Sequence, residues 1–85
     1  MNYQKIIETV LLACDSPISN SLIKRIIANS DITDKEIMRI IDSLNEDYIK
    51  HKKGIYIDSV SNGYQIRTLP EFHKYIQIAK KNSSN

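Results

Sequence analysis

Three stretches with the spacing of amphipathic helices, a switch to period two around an Asn-Gly pair, and one more helical stretch predict a mainly helical fold with a small β-hairpin, a winged helix-turn-helix. The length allows one such domain, since 85 residues fall below the roughly 100–200 usual per domain. With 41% hydrophobic and 26% charged residues the composition is that of a globular protein, so a folded core is expected.

From Tyr3 to Ala13, the positions Tyr3, Ile6, Ile7, Val10 and Leu11 share one helical face, with Gln4, Lys5, Glu8 and Thr9 opposite. Asp15-Ser16-Pro17 stops this first helix, because proline disfavours helical backbone at the residue before it. Ile18 enters a short extended segment. Ser19 or Asn20 then caps a short second helix whose face carries Leu22, Ile23, Ile26 and Ile27. After the polar break Asn29-Ser30-Asp31, Thr33 and Glu36 form a capping box that starts a third helix. Its buried face holds Ile37, Ile40, Ile41, Leu44 and Tyr48. Gly54 ends it after Lys50, His51, Lys52 and Lys53, cations that suit a helix C-terminus.

Ile55–Val60 and Tyr64–Leu69 read as strands around Ser61-Asn62-Gly63. With Asn62-Gly63 as the loop, Ser61 pairs with Tyr64, and Ile57, Ser59, Ile66 and Thr68 share a face. Tyr56, Asp58, Val60, Gln65, Arg67 and Leu69 occupy the other, with Asp58 opposite Arg67 as an ion pair. Pro70 opens a fourth helix with the face Phe72, Tyr75, Ile76 and Ala79.

The net charge of +2 says less about function than its distribution. Between Asp34 and Asp47, the acids Asp34, Glu36, Asp42, Glu46 and Asp47 outnumber the bases Lys35 and Arg39. A helix that enters the DNA major groove needs the opposite sign, because Lys and Arg on phosphates supply most of the affinity. A DNA-binding transcriptional regulator is therefore the alternative, with weak backbone contacts from Lys50, Lys52, Lys53 and Arg67, and a protein-binding module is preferred.

Enzyme chemistry lacks parts: Gly54 and Gly63 are the only glycines, and no metal-ligand spacing or nucleophile–base set stands out. Neither cofactor nor metal is expected. Cys14 cannot form an internal disulfide and reads as a small buried hydrophobe, while His51 reads as a solvated cap residue. The longest apolar run, Val10 to Cys14, is far short of the roughly 20 residues that cross a bilayer, and no signal peptide precedes it, so a soluble intracellular protein is expected. The candidate interface comprises Tyr56, Val60 and Arg67 on the outer strand face, Tyr64 at the turn, and Ile78, apolar yet off the main face of the last helix.

Three segments carry a family resemblance: Glu8–Ser19 (ETVLLACDSPIS), Leu44–Tyr48 followed by Gly54-Ile55, and most specifically Gly63–Phe72 (GYQIRTLPEF) followed by Tyr75-Ile76. They resemble the N-terminal winged-helix domain of bacterial segregation and condensation protein B (ScpB), over nearly the whole chain. The resemblance implies a non-enzymatic homodimer that binds the kleisin, segregation and condensation protein A, and through it an SMC ATPase. The setting it implies is a condensin-like complex for chromosome condensation and segregation, cytoplasmic and nucleoid-associated, with direct DNA contact weak or absent. Residues 1–81 would form the winged helix and 82–85 a polar tail or the start of a linker, with the family's second winged helix absent.

Overall fold

The computed structural model describes residues 2–82. Its elements are α1 (Tyr3–Ala13), α2 (Asn20–Ile26), α3 (Asp34–Lys50), β1 (Ile55–Val60), β2 (Gly63–Thr68), a 3₁₀ turn (Pro70–Phe72) and α4 (His73–Asn82). This is the element order of a winged helix-turn-helix.

Side chains fix the start of the first three helices by accepting orphan backbone N–H groups. Asn2 accepts from Lys5, Ser19 from Leu22 and Thr33 from Glu36, and the Glu36 carboxylate accepts in return from the Thr33 N–H. Of the two candidates for α2, Ser19 is the cap. Gly54 does not end α3: the left-handed residue is Lys52, at φ 52°. The N–H groups of Lys52 and Lys53 donate to the carbonyls of Ile49 and Tyr48, which closes the helix in a Schellman motif with lysine where glycine is usual. Ala28, at φ 55°, closes α2 in the same way.

The core gathers Ile7 and Leu11 from α1, Ile23 and Ile27 from α2, Ile32, and Ile37, Ile41, Leu44 and Tyr48 from α3, under Ile18, Ile57 and Tyr64. Leu22 and Ile26, expected on the buried face of α2, are exposed. A helix of only seven residues turns Ile23 alone to the core, and its C-cap Ile27, four positions on, continues that row. Across the α1–α3 contact the Tyr48 hydroxyl donates to Glu8 Oε2 at 2.6 Å. Burial, with that carboxylate as acceptor, pushes the Tyr48 hydroxyl far above the usual tyrosine range.

The hairpin departs from the expected register. Ser61-Asn62 is the loop, Val60 pairs with Gly63 and Ser59 with Tyr64, so each partner shifts by two positions. An even shift leaves the faces unchanged, and Ile57 and Ile66 still point inward together. Asp58 lies opposite Gln65, and its ion pair with Arg67, Nε to Oδ2 at 2.9 Å, is diagonal. The cause is Gly63, which sits in β2 at φ 134°. A Cβ there would collide with the Ile18 carbonyl and come within 2.8 Å of Ser19 Cα. Glycine thus lets Ile18 approach and exchange both backbone hydrogen bonds with Tyr64, at 2.9 and 3.0 Å. On the other edge, the Asn45 amide clamps Ile57 by donating to its carbonyl (3.0 Å) and accepting from its N–H (2.7 Å).

Pro70 opens the 3₁₀ turn instead of the helix itself. The Phe72 ring lies against Gly54, where a Cβ would stand 3.1 Å from it. Beyond this anchor α4 buries no residue, so the face Phe72, Tyr75, Ile76 and Ala79 is not part of the core. The three helices and the inner hairpin face already close the core, and the main neighbour of α4 is the 3₁₀ turn.

Candidate partner interface

The solvent side of α3 is acidic. Asp34, Glu36, Asp42, Glu46 and Asp47 are all exposed, and few cations offset them. Lys24 bridges Asp34 at 2.9 Å, and Glu36 is held by its cap. Lys50, Lys52 and Lys53 cluster at the C-terminal end, where Lys53 Nζ lies 5.9 Å from the centre of the Tyr48 ring. The position of a DNA-reading helix therefore carries a field that repels phosphate.

The outer hairpin face presents Tyr56, Asp58, Val60, Gln65 and Arg67. Tyr56 pairs directly with Arg67, and Arg67 is exposed while Tyr56 and Val60 are half-buried. A shallow groove runs from Tyr56 and Arg67 past Thr68 to Pro70 and His73. His73 Nε2–H donates to the Thr68 carbonyl at 3.2 Å, which fixes the first turn of α4 beside the strand end. Gln65 reaches the other way and donates to the Asp15 carbonyl at 2.7 Å, so it braces the α1–α2 connection.

Three of the expected interface residues, Tyr56, Val60 and Arg67, thus share one surface. Tyr64 does not join them: it is only 5% exposed and lies in the core. Its strand pairing on both sides, to Ser59 and to Ile18, turns the ring inward, and burial raises its hydroxyl as well. Ile78 stands apart on α4 at 60% exposure, next to Tyr75 at 59% and Phe72 at 39%. Sequence reasoning put Phe72 and Tyr75 on a packed face. The available signal was the width of the apolar stripe, since Ile78 extends it beyond what one core contact needs. Cys14, expected to be buried, is exposed, because as the C-cap of α1 it has left the helical face.

Among the described residues no group of three or more His, Cys, Asp or Glu side chains is placed to hold a metal ion. Among the described residues no helix is long and apolar enough to cross a membrane.

The family model described as "Segregation and condensation complex subunit ScpB" matches residues 5–85. Segregation and condensation protein B of Alkaliphilus metalliredigens is 38% identical over 78 residues, covering 89% of this chain and 39% of the relative. The Clostridioides difficile protein of the same name is 36% identical over 72 residues, 85% of this chain and 40% of the relative. The chain thus spans about two fifths of the length of these curated relatives. Among solved structures, ScpB from Mycobacterium tuberculosis superposes with a TM-score of 0.81 at 14% identity, over 98% of this chain and 50% of that one. A ScpB N-terminal domain, solved as a dimer complexed with a ScpA peptide, gives 0.73 at 22% identity over 89% and 91%. At these identities the two structures bear on the fold alone.

Proposed function

The chain belongs to the ScpB family of segregation and condensation complex subunits, and on that premise we propose that it is a non-enzymatic subunit that homodimerises and binds a kleisin of the ScpA type. Through the kleisin it joins an SMC ATPase in chromosome condensation and segregation, at the nucleoid in the cytoplasm. Family membership carries this reading, and the likeness to an N-terminal domain solved as a dimer with a ScpA peptide supports its partner half.

The surfaces divide the work. The hairpin face with Tyr56, Val60 and Arg67 takes the kleisin segment: an aromatic ring, an aliphatic patch and a guanidinium beside an open groove offer apolar contact and a directional donor. Ile78 on α4 takes the second copy. The acidic side of α3 supports little direct DNA contact.

Titration calorimetry with a peptide from the central segment of the kleisin tests the reading. Binding should weaken at least tenfold in Arg67→Glu, with the circular dichroism spectrum unchanged. Absence of binding to the wild-type chain counts against the kleisin half. Light scattering at micromolar concentration tests the dimer, and submicromolar, sequence-dependent duplex binding at physiological salt would favour a DNA regulator instead.

A further inference from the structure

We infer that Asn62 is a site of self-modification: the wing tip converts its own side-chain amide to a carboxylate, as aspartate or isoaspartate, with water as the co-reactant. This goes beyond the partner binding proposed above and does not depend on it. Asn62 is exposed in a loop of two residues, and Gly63 follows it. Asparagine is a thermolabile residue, and the reaction needs the backbone nitrogen of the next residue to reach its carboxamide carbon. A side chain on that next residue obstructs the approach, and glycine has none.

Once the Gly63 nitrogen has lost its proton, it bonds to Asn62 Cγ, the Cγ–Nδ2 bond breaks and ammonia leaves. The product is a five-membered imide. Water opens it at either carbonyl: breaking the new bond to Cγ gives aspartate, and breaking the bond to the main-chain carbonyl carbon gives isoaspartate. Gly63 pairs with Val60 at the end of the ladder, so its nitrogen is freed whenever that last pair frays. Tyr64, tied to Ile18 on its other side, keeps the rest of the hairpin in place meanwhile.

The other described asparagines are held. Asn2 accepts from the Lys5 N–H, Asn29 accepts from Asp31 and donates to the Tyr3 hydroxyl, Asn45 clamps Ile57, and Asn82 donates to the Ile78 carbonyl. Asn20 lies in α2, where helical backbone keeps the following nitrogen away from the side chain. Asn62 instead borders an open, polar cleft shared with Ser19, Asn20 and Ser59, where water is at hand. Both products change the tip. Aspartate adds a negative charge, and isoaspartate routes the chain through Cγ and lengthens the loop. Gly63 is crowded by the Ile18 carbonyl and Ser19 Cα, so the added length is taken up at Ser61 and Val60, beside the outer hairpin face.

Incubation of the folded chain at physiological temperature, then trypsin digestion and mass spectrometry, tests this. The fragment 54–67 contains Asn62 as its only asparagine. At mildly alkaline pH it should pass from amide to acid mass at least tenfold faster than the fragments that hold Asn29 or Asn45, and should become a substrate for isoaspartyl methylation. In mild acid, where the nitrogen keeps its proton, conversion should slow. Asn62→Gln, which would need a six-membered ring, should leave its fragment unchanged, with the circular dichroism spectrum of the wild type. Equal rates at Asn29 or Asn45 would overturn the inference. So would a folded chain that keeps Asn62 intact while a peptide of residues 59–64 converts.

Discussion

Replacing Asn45 with alanine removes the clamp on the outer edge of β1. The Ile57 N–H and carbonyl lose partners at 2.7 and 3.0 Å, and Ile57 itself is buried. A buried group left without a partner costs about 1–3 kcal/mol. Water reaches a strand edge more readily than a core, so the lower end applies to each group, and the loss comes to about 2 kcal/mol. For a domain of this size that corresponds to a fall in Tm of about 8–16 °C. Urea denaturation followed by circular dichroism reads the change directly, with a lower midpoint and an unchanged slope. Asn45→Asp adds a check on mechanism: it keeps the acceptor for the Ile57 N–H but sets a carboxylate against the Ile57 carbonyl. Its cost should exceed that of alanine at neutral pH and shrink in acid, where the neutral acid can donate. A loss below about 0.5 kcal/mol for Asn45→Ala would refute the clamp, and with it the claim that α3 positions the wing.

Gly63→Ala should cost about 3 kcal/mol or more in the same melts, because it adds backbone strain to a collision with Ile18, and a change within about 0.5 kcal/mol would contradict that geometry. Ala28→Gly and Lys52→Gly should each stabilise by about 0.5–1 kcal/mol, since glycine relieves the left-handed backbone at both Schellman positions and gives back part of the gain as unfolded-state entropy. Tyr48→Phe should flatten the alkaline limb of the stability profile. Below about pH 10 both the folded and the unfolded chain keep the Tyr48 proton, and above it only the unfolded chain releases it. Wild-type stability therefore falls as pH rises, by about 1.4 kcal/mol per unit from this residue, and the phenylalanine variant should lack that contribution in melts between pH 9 and 11.

The helical part of this fold is written locally and could be read from the chain. The Thr33–Glu36 box, the Pro17 stop and the stripe from Ile37 to Tyr48 each depend on neighbours within a turn or two, and each appears where periodicity put it. The hairpin register was less accessible. Asn62-Gly63 is a strong loop signal, but its outcome was decided by Ile18, far away in sequence, whose backbone claims the space beside Gly63. The same contact moved Tyr64 from the candidate surface into the core. At α4 the period was right, but its face is not part of the core, because periodicity alone does not say whether an apolar stripe is covered. Asn45 gave no signal at all: an asparagine on a helix looks like a solvated residue until a strand edge lies beside it.

The ties between the wing and the helices have a further consequence for how this chain comes into being. Besides Asn45 to Ile57, at a separation of 12 positions, Tyr48 reaches Glu8 across 40 and Gln65 reaches Asp15 across 50. Contacts of long separation are made late, after the entropy of closing their loops has been met. The first helix packs on both α3 and β2, so Ile7 and Leu11 gain part of their cover when α3 is made and the rest only when β2 follows. The wing thus completes a core that the helices begin, and the bond from Gln65 to Asp15 closes its longest loop last.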